Sequence, residues 1–127
     1  MYTFTKKERL NSKKNIAQLF EEGHSFFSHP FKVYYQFDRT KASEPKVAVL
    51  FSVGKKQFKL AVDRNRVKRL CRESYRLNKQ ILYTAVQEKH FDANIAFVFV
   101  GKALPEFKTL ESKMQKALKQ LAGLDLK

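Results

Sequence analysis

The stretch Ala61-Val-Asp-Arg-Asn-Arg-Val-Lys-Arg-Leu-Cys-Arg-Glu-Ser-Tyr-Arg76 constrains the fold more than any other part of this chain. Six of its residues are Arg or Lys and two are acidic, so it cannot be an interior element. At about 100° per residue, Val67, Leu70, Cys71, Ser74, Leu77, Asn78 and Ile81 fall on one face of a helix. Asn65, Arg69, Arg72 and Arg76 fall on another, with Lys68 and Lys79 beside them. One side must seal a core while the other holds guanidinium groups in a row. Such planar forks match phosphate oxygens bidentately, which suits a folded polyanion. A merely solvated face mixes Glu with Lys at i,i+4, whereas only Asp63 and Glu73 interrupt the positive charge here.

The rest of the composition agrees. A chain of 127 residues with 43% hydrophobic content and twelve Phe predicts one domain over 1–127 with a real core. Its 26 basic against 12 acidic residues give a net charge of +14, a field that attracts RNA, DNA or an anionic membrane surface. Eleven of the cations (Lys46, Lys55, Lys56, Lys59, Arg64, Arg66, Lys68, Arg69, Arg72, Arg76 and Lys79) lie between residues 46 and 79, against two acids. No stretch is long and apolar enough to span a bilayer; the longest apolar run, Ile95-Ala-Phe-Val-Phe-Val100, is of strand length. Residues 1–9 carry no hydrophobic signal core, and the single cysteine, Cys71, can build neither a disulfide nor a thiolate metal site. A cytoplasmic setting is the expectation.

The local patterns predict an α+β fold. Residues 1–10 read as an extended basic lead-in, and 11–23 as a short helix capped by Asn11 or Ser12 and ended by Gly23. Phe31 to Asp38 alternates as a strand, with Phe31, Val33, Tyr35 and Phe37 on one face and Lys32, Tyr34 and Gln36 on the other. A polar turn at 39–45 leads to a second strand, Lys46 to Val53, whose apolar residues on both faces predict an interior position. The Arg-rich helix runs to Asn78, a further helical segment covers Gln80 to Glu88, and Asn94 to Val100 is a third strand. After the break at Leu104-Pro105, a closing helix over Phe107 to Leu121 turns Leu110, Met114, Ala117, Leu118 and Leu121 inward. A small sheet covered on one face by helices follows.

Chemistry-bearing constellations are missing. His24, His29 and His90 are isolated, no Gly-rich phosphate loop or nucleophile motif occurs, and Asp63 with Glu73 read as local charge partners rather than an acid–base pair. No catalytic residue and no metal ligand is expected on the protein, nor a small-molecule substrate. A second surface is formed by Lys13, Lys14, Ile16 and Phe20 of the first helix with Tyr34 of the first strand. Aromatics beside lysines suit an unpaired nucleic-acid strand, although Ile16 and Phe20 also stand at core spacing.

Arg64-Asn-Arg-Val-Lys-Arg-Leu-Cys-Arg-Glu73 closely resembles the signature R-N-R-x-K-R-x-x-R-E of the bacterial ribonuclease P protein subunit. Lys7-Glu-Arg-Leu10, Phe20, Gly23, Phe31, Ser52-Val53, Lys55-Lys56 and Ala61-Val62 are similar to the same pattern, so the resemblance spans about residues 6–121. It implies a two-layer α/β sandwich, a small mixed sheet covered by helices, with a left-handed βαβ crossover at the Arg-rich helix (ribosomal protein S5 domain 2-like). It also implies a cytoplasmic partner of a catalytic RNA that removes the 5′ leader of precursor tRNA with Mg²⁺, the RNA supplying the active site. By the same resemblance Lys55, Lys56, Lys59, Arg64, Asn65, Arg66, Lys68, Arg69, Arg72 and Arg76 would contact the catalytic RNA. Lys13, Lys14, Ile16, Phe20 and Tyr34 would hold the leader. Ile16 stands where many members carry a second aromatic, residues 56–61 lack the Gly-Asn of some members, and 84–92 reads as a lengthened loop. The alternative is a non-enzymatic basic ribosomal or structural RNA-binding protein; a DNA-binding module is less favoured, because no helix-turn-helix spacing surrounds the Arg helix.

Overall fold

The sheet decides where every functional side chain lies. In the computed structural model, which describes residues 4–41 and 44–124, four strands pair in the order β1 (His24–Ser28), β2 (Phe31–Arg39), β4 (Phe91–Phe99), β3 (Val47–Val53). Four helices accompany them: α1 (Lys13–Glu22), α2 (Ala61–Asn78), α3 (Gln80–Lys89) and α4 (Phe107–Ala122). β1–β2 and β2–β4 are antiparallel, while β3 and β4 are parallel and joined by the α2–α3 crossover. The mixed sheet with its helical layer is the α+β arrangement the sequence predicts.

Register explains the two faces. The row Val33, Phe97 and Phe51 points inward to a core completed by Val67, Cys71 and Tyr75 of α2, Leu82 and Val86 of α3, and Leu110, Met114, Ala117, Leu118 and Leu121 of α4. All five α4 positions are those picked out by helical spacing. Phe51 stacks on Phe97 with ring centroids 5.6 Å apart, and Tyr75 packs against both rings, at 5.7 and 6.1 Å. The next row, Tyr34, Ala96 and Leu50, faces the other way and forms a second cluster with Leu10, Ile16 and Leu19. Helical cover on one face therefore holds for α2, α3 and α4, whereas α1 lies across the opposite face.

Several expectations are corrected. β3 is an edge strand, not an interior one. Its outer edge is covered by the N-terminal segment, where Arg9 bridges Val49 and the Leu10 amide donates to the Val49 carbonyl at 3.0 Å, so a strand flanked on both faces reads as interior. The lead-in is not wholly extended, since Lys6–Glu8 forms a 3₁₀ turn. β1 was not foreseen: it pairs with β2 alone and buries only Ser28, so it has no apolar alternation to display. Residues 84–92 are not a loop. α3 continues to Lys89, His90 turns the chain at φ 57°, and β4 begins at Phe91, three residues earlier than the apolar run suggested. Residues 1–3 of the lead-in and 42–43 of the polar turn lie outside the described residues.

Candidate nucleic-acid interface

The basic face is built on a rigid turn and a long helix. After β3 the chain turns at Gly54, whose carbonyl accepts the Gln57 amide at 3.2 Å. Phe58 is buried and stacks on Phe99 at 6.1 Å, which anchors the turn, while Lys55, Lys56 and Lys59 are exposed around it. Arg64, expected as an RNA contact, points its Nη1 back to donate to the carbonyls of Phe58 (2.8 Å) and Lys59 (2.9 Å). It clamps the turn to the helix start. Asn65, Arg66, Arg69 and Arg72 are exposed, and Lys68 is half-buried. Arg76 pairs with Glu73, its Nε donating at 3.1 Å, which holds the Glu73 carboxyl below the usual range. Among the described residues no carboxylate pairs with Arg66, Arg69 or Arg72, so the forks needed for phosphate are presented free.

Lys79 leaves this face altogether. Predicted beside the arginines, it turns inward, and its Nζ lies 2.5 Å from Glu8 Oε2, a pair with side-chain exposures of only 9% and 13%. The Tyr83 hydroxyl donates to the same oxygen at 2.5 Å. Burial raises the Glu8 carboxyl, but hydrogen bonds from Lys79, Tyr83 and Thr5 outweigh it and hold the group below its ordinary value. This clamp ties the N-terminal segment to the junction of α2 and α3. Burial pushes the Cys71 thiol up to about 12, so it is a packed side chain rather than a nucleophile at neutral pH.

The second surface lies on the outer face of the sheet. Ser12 caps α1, accepting the Asn15 amide at 3.3 Å, and leaves Lys13 and Lys14 exposed in the first turn. Ile16 is half-buried against the second core cluster, as its helical spacing suggested. Phe20 remains 39% exposed and meets the Tyr34 ring edge-on at 4.7 Å. Two partners were missed. Lys32 places its Nζ 5.2 Å from the Tyr34 centroid, a contact already implied by the alternation of β2. Phe27, 62% exposed, pairs in register with Lys32 and so shares its face, but no sequence signal reveals β1. The row Lys32, Val98 and Ser52 is the last on this face before β3 ends at Val53, so the outer face opens towards the basic turn at 54–60. Among the described residues no cluster of His, Cys, Asp or Glu could hold a metal ion, and no helix is long and apolar enough to cross a membrane.

Comparison with known proteins identifies the family. The Ribonuclease P family model matches residues 4–122. The chain belongs to the ribonuclease P protein family. The Porphyromonas gingivalis ribonuclease P protein component is 46% identical over 125 residues, covering 96% of this chain and 88% of that protein. Its Chlorobium phaeobacteroides counterpart is 37% identical over 122 residues, covering 89% and 84%. The fold matches the RNase P protein from Thermotoga maritima with a TM-score of 0.67 at 24% identity, over 89% of this chain and 96% of that one. The protein is thus a component of ribonuclease P, the RNA-based endoribonuclease of tRNA processing.

Proposed function

We propose that the α2 face and the 54–60 turn bind the catalytic RNA of ribonuclease P, and that the outer face of the sheet holds the 5′ leader of precursor tRNA. The chain acts as one RNA-binding domain over 1–127, in the cytoplasm. The observation that carries the reading is the row Arg66, Arg69 and Arg72, exposed on one rigid helix with no carboxylate partner among the described residues. Cations in register displace counterions from the RNA backbone, and the entropy of that release drives association. On the outer face, Phe20, Tyr34 and Phe27 offer rings to unstacked bases while Lys13, Lys14 and Lys32 meet the phosphates. Ile16 supports the cleft floor rather than stacking on a base. The protein supplies no reacting group: it screens repulsion between two RNAs and fixes the leader. Hydrolysis and its Mg²⁺ ions belong to the RNA.

The test is cleavage of a precursor tRNA by the cognate catalytic RNA at low Mg²⁺, with and without the protein. Wild type restores cleavage, and Arg69→Ala/Arg72→Ala weakens assembly with the RNA. Phe20→Ala/Tyr34→Ala lowers affinity for leader-bearing substrate about tenfold and leaves leaderless tRNA unaffected. No stimulation by wild type, with tight binding to ribosomal RNA instead, refutes the reading in favour of a structural RNA binder.

A further inference from the structure

The head of the basic stripe carries two side chains that neither the core nor the charge accounts for. Leu60 is 65% exposed and Val62 is 76% exposed. Leu60 occupies the N-cap of α2 and makes no side-chain cap bond, where Ser, Thr, Asp or Asn would satisfy an amide. Val62 occupies the first turn, where an acidic residue would be favoured by the helix dipole and a β-branched one lowers helix propensity. Both choices cost helix stability and pack against nothing in the core. Their placement is nevertheless rigid. Phe58 anchors the turn, Arg64 clamps the consecutive carbonyls of Phe58 and Lys59, and the Arg64 amide donates to the Leu60 carbonyl at 3.2 Å. Val62, Arg66 and Arg69 stand at i, i+4 and i+7, so Val62 continues the line of the guanidinium forks.

We propose that Leu60 and Val62 form an apolar docking point for one unpaired nucleobase of the catalytic RNA. The inference rests on reading the α2 face as the RNA-binding surface. Charge complementarity selects the occupant. Lys59 precedes Leu60, Arg66 stands one turn beyond Val62, and both are exposed beside the basic turn, with Asp63 the one acid in this first turn, so whatever covers the pair must bring anions to its rim and an apolar plane to its centre. An unstacked nucleotide has that make-up, whereas a duplex hides its base planes in the stack and presents phosphates, 2′-hydroxyls and polar base edges.

The substitution pair Leu60→Ser/Val62→Ala separates this role from a structural one, because it supplies a cap and a better helix former while removing the apolar contact. Binding to the transcribed catalytic RNA is measured by filter retention across a series of KCl concentrations, alongside thermal melts. The expected result is a melting temperature equal to or above wild type, with affinity about tenfold weaker. The slope of log K against log salt stays unchanged, since no phosphate contact is lost. Chemical probing of the complex then shows an unpaired base that is protected with wild type and reactive with the variant. Leu60→Met/Val62→Ile keeps affinity within about twofold. Wild-type affinity for Leu60→Ser/Val62→Ala, while Arg69→Ala/Arg72→Ala binds weakly with a shallower slope, overturns the base contact alone and leaves the patch to a protein partner or to solvent. Wild-type binding by Arg69→Ala/Arg72→Ala as well overturns the RNA-binding reading of the face, and the base contact with it.

Discussion

Replacing Glu8 by Gln strikes the one ion pair that links the N-terminal segment to the helical layer among the described residues. Glu8 Oε2 receives Lys79 Nζ and the Tyr83 hydroxyl, each at 2.5 Å, and Oε1 receives the Thr5 amide at 3.0 Å. With side-chain exposures of 9% for Lys79 and 13% for Glu8, loss of the carboxylate strands an ammonium where water scarcely reaches. Orphaning a fully enclosed partner costs about 3–5 kcal/mol, and the residual access of water to Glu8 brings this to about 2–3 kcal/mol. At roughly 4 °C per kcal/mol for a domain of this size, Glu8→Gln lowers the melting temperature by about 8–12 °C in scanning calorimetry. Lys79→Met leaves the Glu8 carboxylate held only by the Tyr83 hydroxyl and the Thr5 amide and costs about 1–2 kcal/mol, and the double variant costs less than the two singles together. The pH dependence has a definite sign. The Glu8 carboxyl titrates below its ordinary value, so its contribution is complete above the unfolded pKa of about 4.3 and is lost as pH falls through the folded one. The gap between wild type and Glu8→Gln is therefore full at pH 7 and closes in acid. A gap under about 2 °C at pH 7, or one equally large at pH 3, refutes the argument.

Three further outcomes are expected. His90→Gly relieves a non-glycine residue at φ 57° and raises stability by about 0.5–1 kcal/mol, seen as a melting shift of a few degrees. Gly23→Ala drives a Cβ to 2.4 Å from the Leu19 carbonyl oxygen, costing about 1–3 kcal/mol; hydrogen exchange at the end of α1 quickens, and leader affinity falls with it. Arg69→Ala/Arg72→Ala removes two phosphate contacts, so the slope of log K against log salt for the catalytic RNA becomes shallower by about 1.4–1.8.

Local chemistry was legible in the sequence wherever a period of 3.6 or 2 expresses it. The α4 core positions, a cap of α1 at Asn11 or Ser12, the alternation of β2 and the arginine stripe of α2 follow from local residue type and spacing, a property of a few consecutive residues. The family signature lies in that same stripe. What failed depends on distant parts of the chain. Helical spacing leaves Lys79 at the margin of the basic face, and only Glu8 and Tyr83, brought together by folding, draw its flexible stem inward. Burial on both faces reads as an interior strand, yet β3 is an edge strand whose outer side is covered by the N-terminal segment at Arg9 and Leu10 rather than by another strand.

The sequence by itself determined the four helices, β2, β3 and most of β4, the inner core and the cationic helix, since hydrophobic period and charge are written residue by residue. The tertiary structure alone decided the strand order and the placement of α1 across the outer face. It also added Phe27 of β1 to the surface of Phe20, Tyr34 and Lys32. Strand pairing and helix docking join residues far apart in the chain, and their free energy depends on surfaces that exist only after each element has formed.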